Sequence, residues 1–161
     1  KKNILSEWHY LLVREAVNLN DFEPSGEYIA NKLKGLITPD AGEKALKYLI
    51  EAGFVVEKPG RWKVAEPMID TGDNIFQDEL IRKFHSKNLN VWSDNLNTFS
   101  HAELELGLLN LSVSSKRLPE LKQKIRDFQD QILGWLHTDE KPDSLVQVGV
   151  YMIPHEVKKT K

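Results

Sequence analysis

A chain of 161 residues with 40% hydrophobic and 29% charged residues has the composition of an ordinary globular protein, long enough for one sizeable core or two small ones. It holds no cysteine, which excludes disulfides and thiolate metal sites, and no apolar run approaches the roughly 18 residues that span a bilayer. The formal net charge is −2, with ten Lys or Arg against ten Asp or Glu up to Glu66, so any affinity for nucleic acid must come from local patches.

The absence of cysteine and of a signal peptide fits a cytoplasmic protein. The first residue is Lys1 rather than Met, so a missing upstream N-terminal region is expected.

The first helix is expected over Glu7–Leu19, with Ser6 as its N-cap and Trp8, Leu11, Leu12, Ala16 and Leu19 on the buried face. A shorter helix follows Ser25, with Tyr28, Ile29 and Leu33 turned inward and Gly35 suited to its C-cap. The third is marked most clearly: Thr38 caps it, Pro39 takes the first helical position and Asp40 favours the positive end of the dipole. Its buried stripe is Ala41, Ala45, Leu46, Leu49 and Ile50, and Gly53 ends it. Two short β-rich runs, Phe54–Glu57 and Arg61–Val64, then flank a turn at Lys58-Pro59-Gly60 and predict a hairpin. Three helices followed by a hairpin is the winged helix-turn-helix order.

A connector at 68–75 precedes a long amphipathic helix from Phe76 to Phe99, with Phe76, Leu80, Ile81, Phe84, Leu89, Trp92 and Leu96 near one face. A strand is expected over Leu104–Ser114, its apolar positions changing phase at Leu108-Leu109. Pro119 opens another helix, in which Leu121, Ile125, Phe128, Ile132 and Trp135 recur at alternating spacings of four and three, and Leu145–Ile153 reads as a closing strand. The expected fold class is therefore α+β: a winged helix-turn-helix domain over 1–67, the connector 68–75, and an α-β-α-β half over 76–161 with a small sheet. Two strands make a poor sheet, so completion by another strand, by the hairpin or by a second copy of the chain is expected.

Trp8-His9-Tyr10, Thr71-Gly72-Asp73, Leu118-Pro119-Glu120-Leu121 and a closing strand ending Ile153-Pro154 occur in an order and spacing that covers nearly the whole chain. In these the sequence resembles a bacterial family of uncharacterised winged-helix proteins, found mainly in predatory and fibrolytic lineages and generally labelled transcriptional regulators. Members often carry a further N-terminal helix-turn-helix region and end in a Phe-Pro-Leu-Thr-like string, where this chain has Met152-Ile153-Pro154-His155. The resemblance implies a winged-helix fold and a regulator's role, with no ligand or operator attached.

If the third helix reads DNA, its outward face offers Lys44, Lys47 and Tyr48, while Asp40, Glu43 and Glu51 repel phosphates. Lys58, Arg61 and Lys63 flank the hairpin tip, and Lys32 and Lys34 add possible backbone contacts. These define the candidate DNA-binding residues. The five histidines form no ligand motif, and Asp70, Asp73 and Asp78 miss the EF-hand pattern, so neither a metal nor a cofactor is expected. No nucleophile elbow or phosphate-binding loop is present, so no enzyme is expected. Two readings stay open: a DNA-binding transcriptional regulator, dimeric through its second half, or an adaptor whose winged helix binds protein.

Overall fold

In the computed structural model of the chain, which describes residues 3–65 and 75–159, Asn3 caps a single 3-10 turn at Ile4–Ser6 by accepting from the Leu5 N–H at 3.0 Å. The first α-helix, α1, runs from Tyr10 to Ala16. It starts later than Ser6 predicts, and Ala16 and Leu19 are buried as expected. Tyr10, Val13 and Val17 follow the helical repeat into the core, leaving Trp8, Leu11 and Leu12 half-buried at its margin.

Ser25 opens α2, Gly26–Lys32, its hydroxyl accepting from the Tyr28 N–H at 3.1 Å. The chain leaves this helix through Lys34 and Gly35, at φ of 52° and 73°, and the Gly35 N–H reaches back to the Ala30 carbonyl at 2.8 Å. Next comes α3, Pro39–Glu51, capped as expected by the Thr38 hydroxyl on the Ala41 N–H at 3.2 Å. Gly42, Ala45, Leu46 and Leu49 form its buried line, whereas Ile50 is exposed.

Glycines let α2 and α3 cross closely. A Cβ on Gly42 would lie 2.7 Å from the Gly26 carbonyl oxygen, and one on Gly26 would lie 2.8 Å from the Glu43 nitrogen. Glu43 uses this proximity, since its Oε2 accepts from the Gly26 N–H at 3.0 Å.

Gly53, at φ 79°, ends α3 and hands the chain to the antiparallel hairpin of β1, Val55–Lys58, and β2, Arg61–Val64. Ile4, Tyr10, Val13, Ile29, Leu49 and Val55 are among the buried residues of the core that these elements enclose. The long helix α4, Ile75–Asn95, continues into a 3-10 turn at Leu96–Thr98. Its inward line is Phe84, Asn88, Val91 and Asn95, with Ile81, Leu89 and Leu96 exposed. Asn88 is buried, and its side-chain amide donates to the Phe84 carbonyl at 2.9 Å.

The fold class is α+β, with five α-helices and one two-stranded sheet among the described residues. Two compact units divide the chain: Lys1–Ser100 with Pro142–Leu145, and His101–Lys141 with Val146–Lys161. In the first, Leu145 packs on the core and the Asn20 N–H donates to the Pro142 carbonyl at 2.9 Å. The second holds 3-10 turns at His101–Glu103 and Ser115–Arg117 and the helix α5, Leu118–Leu136.

Neither strand expected in the second half forms. Residues 104–114 and 145–153 carry no regular structure, and the β1–β2 hairpin is the one sheet among the described residues. A strand exists through its ladder, and β-rich composition alone does not provide one. The Thr71-Gly72-Asp73 string and nearly all of the 68–75 connector lie outside the described residues.

Candidate nucleic-acid interface

A two-residue turn decides where the hairpin's charges lie. Pro59 presets its own φ, and Gly60 takes φ 80°, the pattern of a type II turn. The register then pairs Lys58 with Arg61, Glu57 with Trp62, Val56 with Lys63 and Val55 with Val64. Opposed residues share a face and successive residues alternate, so Lys58, Arg61 and Lys63 stand together on one side. Trp62 and Val64 turn the other side onto the core, where Val55 is 1% exposed. All three cations are exposed and, among the described residues, form no hydrogen bond or ion pair.

Arg14 of α1 positions this hairpin. Its Nη2 donates to the Ala65 carbonyl at 3.1 Å, just past β2, while the Ala65 N–H donates to the Phe54 carbonyl at 2.9 Å. Nothing in the sequence marks Arg14 beyond its place beside Glu15 in the first helix. Below the hairpin, Leu19, Phe22, Pro24, Glu57, Arg61 and Trp62 help line an open groove of about 600 Å³.

The helix face expected to read bases is occupied differently. Lys44 Nζ lies 2.6 Å from Asp40 Oδ2, and that hydrogen bond raises the ammonium's pKa. Lys47 sits 3.9 Å from Glu51. Tyr48 stacks its ring on Tyr10, centroids 4.8 Å apart, and is half-buried; burial first, then Tyr10, pushes its hydroxyl pKa up. Glu43 faces solvent in part but spends a carboxylate oxygen on Gly26.

On α2, Lys32 Nζ is 2.7 Å from Asp21 Oδ2 and lies over the Tyr28 ring at 5.1 Å from its centroid. The Tyr28 hydroxyl donates to Asp21 Oδ1 at 2.8 Å. Hydrogen bonds from Lys32 and then Tyr28 hold the Asp21 pKa below its ordinary value. Burial, then the Asp21 carboxylate, pushes the Tyr28 hydroxyl far upward, so it remains a donor. Lys34 lies over the Phe99 ring at 4.6 Å. The structure thus gathers Lys58, Arg61 and Lys63 on one open face and gives Lys32, Lys34, Lys44, Lys47 and Tyr48 partners within the chain.

Such a site defines a mixed α+β protein whose first unit closes a three-helix domain with a cationic hairpin. The chain belongs to the family described as Domain of unknown function (DUF4423), whose model matches residues 2–154. No curated protein and no solved structure gives a match. Among the described residues, no helix is long and apolar enough to cross a membrane.

Proposed function

We propose that this protein is a winged-helix transcriptional regulator of the bacterial cytoplasm that binds duplex DNA, acts as a homodimer, and holds the duplex mainly through its hairpin. The single observation behind this reading is the alignment of Lys58, Arg61 and Lys63, exposed and without partners among the described residues, on one face of a hairpin that follows three helices. Cations placed so can each neutralise a phosphate, and the positive charge of a wing serves the backbone rather than base edges. Lys44 and Lys47 contribute second, because a phosphate must displace Asp40 or Glu51 from each.

Fluorescence anisotropy with a random duplex over a salt series tests the reading. Three phosphate contacts give a log–log slope of about −3 per protomer, and each hairpin cation removed reduces it by about 1. Absence of binding at low salt sinks it.

One observation favours a second reading, an adaptor that binds protein. The outer face of α3 presents Asp40, Glu43, Glu51 and the exposed Ile50 beside its two lysines, a mixture suited to a protein surface. Duplex binding that survives loss of all three hairpin cations, or none at all in the wild type, turns the search to that face.

A further inference from the structure

The second unit leaves many of its large apolar side chains in solvent, although Leu118, Leu121, Ile125 and Ile132 of α5 are half-buried. Leu106, Leu108, Leu111, Phe128, Trp135 and Ile153 are all exposed, Leu108 by 83% and Trp135 by 73%, and α5 buries none of its residues. Together, side chains of this size and exposure present on the order of 1,000 Å² of apolar surface, against ~800 Å² per partner in a stable interface. The backbone is open as well. None of residues 104–113 forms a hydrogen bond to another described residue, although the run is rich in leucine and Leu104, Leu106 and Leu108 alternate. Peptide groups beside such side chains gain from a partner chain that gives them a ladder.

The α5 seam states what that partner is. Leu118, Leu121, Ile125, Phe128, Ile132 and Trp135 are spaced three, four, three, four and three, a sequence of steps that reads the same from either end. Two copies laid antiparallel match Leu118 with Trp135, Leu121 with Ile132 and Ile125 with Phe128, each in both directions, as a twofold axis requires. Charge selects the same orientation. The first half of the helix carries Lys122, Lys124 and Arg126 against Glu120, and the second carries Asp127 and Asp130 with no cation. A parallel pair would set the basic halves side by side, whereas an antiparallel pair sets each beside the acidic half and also opposes the helix dipoles.

We propose that a second copy of this chain covers the second unit, packing α5 antiparallel against its counterpart and supplying strand partners for residues 104–113. This rests on the dimer of the proposed function but not on its DNA binding.

Sedimentation of the whole chain at micromolar concentration, with hydrogen exchange on the same sample, tests it. Twice the 18.5 kDa chain mass, with slow amide exchange across 104–113 that becomes fast on dilution, is the expected result. The double variant Phe128→Asp/Trp135→Asp, altering side chains exposed within one chain, weakens association at least 100-fold and frees those amides. A wild-type monomer at all concentrations overturns the proposal. So does a dimer whose 104–113 amides exchange at unprotected rates, or one that the double variant leaves intact with its helical signal unchanged. The wild-type exchange decides the matter even if the double variant does not fold. A dimer that binds no duplex counts against the DNA-binding reading alone, and a monomer that binds duplex counts against this inference and the homodimer while leaving the DNA binding standing.

Discussion

Leu49 on α3 and Leu108 in the second unit are the same side chain in opposite circumstances: none of Leu49 is exposed, while Leu108 is 83% exposed. Each belongs to a run of apolar residues at regular spacing. In the first unit the spacing is answered within the chain, because three short helices and a hairpin enclose one another's faces. In the second it is answered only in part: Leu118, Leu121, Ile125 and Ile132 of α5 are half-buried, while Phe128, Trp135 and much of the runs on either side stay exposed. Apolar periodicity therefore says that a face will be covered, and only the fold says whether the cover comes from the same chain.

That contrast predicts its own largest effect. Leu49→Ala should cost about 2–5 kcal/mol in urea unfolding, the range for emptying a packed core site. Leu108→Ala, measured under high dilution, should stay within about 0.5 kcal/mol. The second loss should grow with protein concentration if a partner copy covers Leu108. Equal losses for the two at high dilution would break the comparison.

Glycine sharpens it further by a change of sign. Helix propensity alone makes Gly→Ala favourable by about 0.8–1 kcal/mol in a helix interior. At Gly134 of α5 an added Cβ meets nothing within 4 Å, so Gly134→Ala should stabilise by up to about 1 kcal/mol. At Gly42 the Cβ would press on the Gly26 carbonyl at 2.7 Å, so Gly42→Ala should destabilise by about 1–3 kcal/mol. Melting temperatures that move in the same direction for both would show that α2 and α3 can part without cost.

What was legible in the sequence was local. Thr38-Pro39-Asp40 and the Pro59-Gly60 turn declare themselves within a few residues, and α3 and the hairpin fall where those signals put them. On α1 the periodicity finds Ala16 and Leu19, which are buried, but passes over Tyr10, Val13 and Val17, which are buried too, and Ser6 lies in a separate turn ahead of the true start at Tyr10. The strands at 104–114 and 145–153 were inferred from composition, whereas pairing depends on residues far away in sequence. The hairpin cations could be named beforehand, but their common face needed the register. That Lys32 meets Asp21 and Glu43 meets Gly26, across 11 and 17 residues, needed the fold itself.

His9 separates the units by pH. It is 7% exposed in the first unit, and burial, partly opposed by Glu7 and reinforced by Lys87, lowers its pKa below the ordinary 6.5. The unfolded chain then binds the proton more readily than the folded one. Its contribution to stability is complete above pH 6.5 and is lost as pH falls through the folded value. His9→Gln should flatten that part of the urea midpoint against pH curve, which an unchanged slope would contradict. Because His9 lies in the first unit, dimer mass should not follow the same profile.

The smallest effects divide the first unit's own cations. Arg61 stands on the open hairpin face, so Arg61→Ala should weaken specific and random duplexes alike, by a few-fold, and reduce the salt slope by about 1. Lys47 is held near Glu51, so its contact with a phosphate or base begins by giving up an existing ion pair. Lys47→Ala should therefore cost less than Arg61→Ala on a random duplex, and any larger cost should appear only on a selected sequence. Glu51→Gln offers the converse. Removing the competing carboxylate frees Lys47 and removes a repelling charge, so binding should tighten slightly, with anisotropy titrations on the same duplex as the readout. Weaker binding by Glu51→Gln would mean that this carboxylate takes part in recognition, and α3 would then be the part of the unit that reads its partner.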